Sequence, residues 1–85
     1  MPRYFFDVHH GMLSRDHEGS ECANPEAVRQ QAILSLAEIA KELIPRGGDH
    51  QAFLVLVRDE KDSIVYIASL NYNGTWFDKS TTDRR

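Results

Sequence analysis

The apolar residues of this chain follow two rhythms. Between Asn24 and Ile44 they return at every third or fourth position. On a wheel of about 100° per residue Val28, Ala32, Leu36, Ile39, Ala40 and Leu43 share one face, with Ile33 and Ile44 at its edge. Gln30, Gln31, Ser35, Glu38, Lys41 and Glu42 cover the opposite face, where Leu34 is the one apolar intruder. The spacing predicts an amphipathic helix packed on a single partner surface. Its ends agree. Asn24 can accept a free N–H of the first turn, Pro25 loses nothing at the first helical position, and Glu26 sits near the positive end of the dipole. Pro45 cannot continue the ladder, and Gly47-Gly48 offers a flexible exit.

Elsewhere the rhythm is alternation, the period of a strand. From Arg3 to Val8, Tyr4, Phe6 and Val8 point one way and Arg3, Phe5 and Asp7 the other. His9-His10-Gly11 predicts a turn, with Met12 to Arg15 as a short return strand. Asp16 to Ser20 has the composition of a loop leading through Cys22 to the helix cap. After the polar connection Arg46 to His50, Ala52 to Arg58 is the clearest strand, with Phe53, Val55 and Val57 opposed to Leu54 and Leu56. Asp59-Glu60-Lys61-Asp62 predicts a four-residue turn, and Ser63 to Asn71 the returning strand. Residues 1–71 thus form a single domain. Residues 72–85 form a polar tail interrupted by Trp76-Phe77, with disorder expected from Lys79 to Arg85.

The order β-β-α-β-β implies a two-layer α+β fold, one helix packed on a four-stranded antiparallel sheet in the order 2-1-3-4. One feature does not fit a sheet with a solvated face, where every second residue should be polar. The third and fourth strands are apolar on both sides. Leu54, Leu56, Val65 and Ile67, or their alternates in the reversed register, have no helix to cover them. Such a patch predicts an interface, formed by a second copy or by an unidentified protein, with Phe5 and Trp76 as further candidates. Alternatively, Trp76-Phe77 and the tail fold back as a lid.

Composition narrows this little. With 85 residues the chain is near the lower limit for a domain without staples, so self-association would help it. A formal net charge of −3 argues against nucleic acid as a partner. The single Cys22 fits a reducing compartment. No apolar run approaches the roughly 20 residues of a membrane span, and the opening lacks the apolar core of a signal peptide. A cytoplasmic protein is expected, with no membrane partner.

Candidate chemistry is sparse. His9, His10, Asp16 and His17 have metal-ligand character, and a hairpin could gather them into a metal or small-molecule site. Their spacing matches no ligand motif, and solvated loop histidines are the plainer reading. Cys22 before the helix reads as packing, against a thiol activated by the helix dipole. Asp16 and Glu18 read as turn chemistry. Arg3, Arg58, Arg84 and Arg85 suggest a basic strip interrupted by the acidic turn. There is no Ser/His/Asp spacing, phosphate loop or CxxC, so neither enzyme activity nor a cofactor is expected.

The opening Met1-Pro2-Arg3-Tyr4-Phe5-Phe6-Asp7-Val8, followed by Arg15-Asp16-x-Glu18-Gly19, resembles a family of short alphaproteobacterial proteins of unknown function. The likeness continues through Pro25-Glu26-Ala27 and Val57-Arg58-Asp59-Glu60. It departs at Asp62, where glycine is expected, and in the tail containing Trp76. It implies a β-β-α-β-β domain and carries no established activity. The chain is also similar to antitoxins of the HicB type, which share a Tyr/Phe-rich hairpin before an alanine-rich helix. That likeness implies a toxin-masking regulator; the DNA-binding segment that often follows in those proteins is not read in this chain. The leading expectation is a small non-catalytic interaction module, most simply a homodimer.

Overall fold

Asn24 begins the helix in the way its side chain suggests. In the computed structural model, which describes residues 1–77, its Oδ1 accepts the Ala27 N–H at 2.9 Å. The helix α1 spans Pro25–Leu43. It then tightens into a 3-10 turn, Ile44–Arg46, because Pro45 has no N–H with which to extend the α ladder. Gln51 holds this exit. Its amide donates to the carbonyls of Ile44 and Gly48, each at 3.0 Å.

Around the helix run β1 (Arg3–His10), β2 (Met12–Ser14), β3 (Ser20–Glu21), β4 (His50–Arg58) and β5 (Ile64–Asn73). The sheet is antiparallel in the order β2-β1-β4-β5, and β3 pairs with the start of β1. With the two-residue β3 set aside, this is the predicted order. The α+β class and its one helix on one antiparallel sheet hold.

Several local expectations need correction. His9 and His10 belong to β1, not to a turn. Gly11, at φ +80°, makes the reversal, so that His10 faces Met12 directly. The stretch expected as pure loop contains β3, whose Ser20 and Glu21 find ladder partners in Tyr4 and Arg3. β5 continues two residues beyond Asn71, and Gly74 N–H then donates to the Asp49 carbonyl at 2.7 Å. Residues 78–85, with the disorder expected there, lie outside the described residues.

The acidic turn does form. The Asp62 N–H donates to the Asp59 carbonyl at 3.0 Å, and Asp59 Oδ1 accepts the N–H groups of Lys61 and Ser63. Asp62 stands at φ 68°, the left-handed region that favours glycine. That conformation accounts for the glycine expected here, and aspartate is among the residues that tolerate it best.

The core lies between α1 and one side of the sheet. Tyr4, Phe6 and Val8 from β1 and Phe53, Val55 and Val57 from β4 face the helix. Val28 and Ala32 meet this surface, and the small Ala32 lets the helix backbone approach closely. Leu36, Ile39, Leu43 and Ile44 are half-buried, whereas Ile33 and Leu34 are exposed. Replacing Asn24 by alanine should cost about 1 kcal/mol. Urea unfolding should show a lower midpoint at unchanged slope, with Asn24→Asp close to wild type.

Candidate functional site

The side of the sheet facing away from α1 is divided between two kinds of surface. Across it the register places Phe5 opposite Arg58, Asp7 opposite Leu56 and then Ile67, and His9 opposite Leu54 and then Ser69. Around Asp7 and Arg58 it is polar, buried and closed. The β4–β5 portion is apolar and open.

The closed portion is built on one ion pair. Arg58 grips Asp7 with two donors, Nε to Oδ2 at 2.6 Å and Nη2 to Oδ1 at 3.0 Å. Asp7 is only 3% exposed. Its burial comes from the loop after β2, which crosses over it: the Asp16 N–H donates to Asp7 Oδ1 at 2.9 Å, and Arg58 Nη2 reaches the Asp16 carbonyl at 3.0 Å. Arg58 Nη1 also meets Asp62 at 2.8 Å, and its guanidinium lies 5.0 Å from the Phe5 ring centre. The cation therefore has carboxylates, a carbonyl and an aromatic face around it.

Asp16 is the loop's anchor. β1 pairs with β2 at Val8–His10 and with β3 at Arg3–Tyr4, leaving the Phe6 N–H between them without a strand partner. Asp16 Oδ2 accepts that N–H at 3.0 Å, while Oδ1 accepts from Glu18 and Gly19 at 3.1 Å each. A side chain has replaced a missing stretch of strand. Gly19 completes the crossing at φ 75°; a Cβ there would meet the Tyr4 carbonyl at 2.8 Å and the Phe5 ring at 2.9 Å.

These contacts set the titration of the cluster. The Arg58 guanidinium holds the Asp7 carboxyl below its ordinary range, against an upward push from burial. Burial is the largest single influence on Asp16 and pushes upward, but three backbone N–H donors together bring it below the ordinary value. Arg58 is held more firmly protonated by Asp7.

The open portion has no such cover among the described residues. Leu54 and Leu56 are half-buried by their neighbours, Ile64 is exposed, and Ile67 is 53% exposed. Val65 does not extend this row. The ladder is irregular between Val57 and Arg58, which breaks the alternation, and Val65 instead lines a 220 Å³ pocket with Tyr4, Pro25, Val28, Asp59 and Tyr66. Phe5 is half-buried under Arg58 and Gly19. Trp76 and Phe77 are 78% and 88% exposed, so neither forms the lid considered as the alternative; the rest of that tail lies outside the described residues. Trp76 stands beside Asp49, Tyr72 and Gly74 at the end of the β4–β5 hairpin.

The four metal candidates are not brought together. His9 lies on the open side of the sheet, and His10 stacks on Phe53 on the helix side with ring centres 4.3 Å apart. His17 is exposed in the loop, and Asp16 is engaged as described. Among the described residues no group of three or more His, Cys, Asp or Glu side chains is placed to hold a metal ion. Cys22 is buried, and burial pushes its thiol pKa up, opposite to an activated nucleophile. No basic strip forms among the described residues: Arg3 pairs with Glu21 and Arg58 with Asp7, while Arg84 and Arg85 lie outside them. Sequence reasoning missed the Asp7–Arg58–Asp16 network. The signal available was a carboxylate in the middle of an otherwise aromatic and aliphatic strand.

Residues 3–71 match the family described as Domain of unknown function (DUF6894). The chain belongs to this family. The matched span takes in all three members of the network, the helix and most of β5, and stops short of Trp76. The match bears on the resemblance to a family of unknown function and not on the likeness to HicB-type antitoxins. No curated protein and no solved structure matches the chain. No helix among the described residues is long and apolar enough to cross a membrane.

Removing one partner of a buried pair leaves the other charge uncompensated. Arg58→Met should therefore cost about 3–5 kcal/mol in urea unfolding, and an Asp7→Leu/Arg58→Met double variant should recover a large part of it. The carboxylates also set an acid limit. Both have native pKa values below the unfolded value of about 3.9, so their contribution is complete above that pH and is lost as pH falls through the native values. Wild-type stability should fall below about pH 4, and Asp16→Asn should make the fall shallower.

Proposed function

We propose that this chain is a small, non-catalytic protein-interaction module of the bacterial cytoplasm, which assembles with a second copy of itself through the β4–β5 half of its sheet. The observation that carries this reading is the division of the outer sheet surface. The chain covers Asp7 with its own loop, while among the described residues no loop crosses the β4–β5 portion, where Ile64 and Ile67 are exposed beside the half-buried Leu54 and Leu56. Contiguous exposed apolar surface on a small protein usually marks an interaction site.

Size supports the same reading. A chain this short buries only about 60% of its unfolded surface, and a partner that binds only the folded state adds to its stability. A free cysteine buried in the core suits a reducing compartment. The described histidines and carboxylates are dispersed or already engaged, which lends little support to a ligand site in the His9–His17 loop.

Native mass by light scattering across a concentration series tests the proposal. A dimer is expected at tens of micromolar. Ile67→Asp should weaken it about 100-fold, the equivalent of roughly 3 kcal/mol, with the circular dichroism spectrum unchanged. Ile67 is chosen because it lies both on the open surface and on the outermost strand. A wild-type monomer throughout the series would remove the proposal.

A further inference from the structure

The two edges of this sheet are treated differently, and the difference names a mode of assembly. On one side the edge is broken into a three-residue and a two-residue strand, with the gap between them closed by Asp16. On the other side β5 runs for ten residues and pairs only with β4 among the described residues. It carries no charged residue and no proline. Edge strands are ordinarily protected by lysine, proline or brevity, and β5 has none of these.

We propose that a second copy of the chain pairs with this edge, β5 against β5 and antiparallel, so that the two sheets become one. This rests on the self-assembly reading and specifies how the contact is made. In an antiparallel ladder, residues that exchange hydrogen bonds with their neighbour alternate with residues that face away from it. The Gly74 N–H donates to the Asp49 carbonyl, and the register continues from that point through Asn73–His50 and Tyr72–Gln51. Counting by twos, Ile67, Ser69, Asn71 and Asn73 turn their N–H and carbonyl groups outward. The same count carried across β4 turns Phe6 away from it, and the Phe6 N–H is indeed the one Asp16 accepts.

Two observations select a second copy as the occupant and edge pairing as its mode. Pairing β5 with itself places no like charges opposite one another, because the strand has none. Its exposed apolar side chains also lie on both sides of the sheet, Ile67 on the open side and Leu70 and Tyr72 on the helix side. Stacking two open faces would cover one set. Extending the sheet supplies neighbours to both. An antiparallel pair of identical strands has its two-fold axis perpendicular to the sheet, so both helices lie on the same side of the joined sheet.

Proline at Ser69 separates this mode from face stacking. It removes an outward N–H and leaves the ladder to β4 intact, a position where proline is tolerated. By light scattering, Ser69→Pro should be monomeric, its dissociation constant raised at least about 100-fold. Leu54→Asp, on the open face but away from the seam and from the Asp7–Arg58 pair, should remain dimeric. Hydrogen exchange on the wild type gives a readout that needs no variant: the Ile67, Ser69 and Asn71 amides should be protected at high concentration and lose protection on dilution. Rapid exchange of these amides at every concentration would overturn the edge pairing. So would a dimeric Ser69→Pro beside a monomeric Leu54→Asp, an outcome that leaves self-assembly standing through the open face. A monomeric wild type would remove both.

Discussion

A carboxylate buried in the middle of a strand has few acceptable surroundings. Asp7 is held on the side of the sheet that the helix does not cover, and a lone buried charge there would be strongly unfavourable. The fold answers it with a two-donor guanidinium from the neighbouring strand and a backbone N–H from the loop that crosses above. Much else follows from this requirement. Arg58 must stand opposite Phe5, which fixes the β1–β4 register. The loop after β2 must cross at one height, which Gly19 permits by lying directly on Tyr4 and Phe5. A one-residue slip would put the arginine on the helix side and the valines of β4 on the other.

The same network explains why the domain has one finished edge and one unfinished edge. Asp16 serves the Asp7–Arg58 pair with its backbone and the exposed edge of β1 with its side chain. The two functions are carried by one residue. On the other side β5 carries no charge and no proline, and no loop among the described residues performs the equivalent task. One helix is too narrow to cover a four-stranded sheet completely, so Leu70 and Tyr72 remain partly open beside it. The two sides of the sheet are therefore finished by different means.

Much of this architecture was legible in the chain. The periodicity of Val28, Ala32, Leu36 and Ala40, bounded by Asn24 and Pro45, determined a helix and its limits to within a residue or two. The alternation of Phe53, Val55 and Val57 with Leu54 and Leu56 determined a strand and announced that both its sides would be apolar. Chain order and antiparallel pairing then left one simple sheet order. These are local or combinatorial properties, which a one-dimensional pattern can carry.

What the sequence could not settle depends on contacts between distant residues. Arg58 and Asp7 are far apart along the chain, and nothing in either neighbourhood distinguishes a partnered arginine from a solvated one. Asp16 looked like turn chemistry, and it is; its second role requires knowing which N–H of β1 lacks a strand partner. His9 and His10 looked like a pair until strand geometry sent them to opposite sides of the sheet. Val65 left the apolar row because of an irregular register that alternation alone does not reveal. The sequence by itself determined the elements and the excess of apolar surface on β4 and β5. Only the tertiary structure decided which side of each strand meets the helix and which edge is left open, because both are set by how strands pair across the chain.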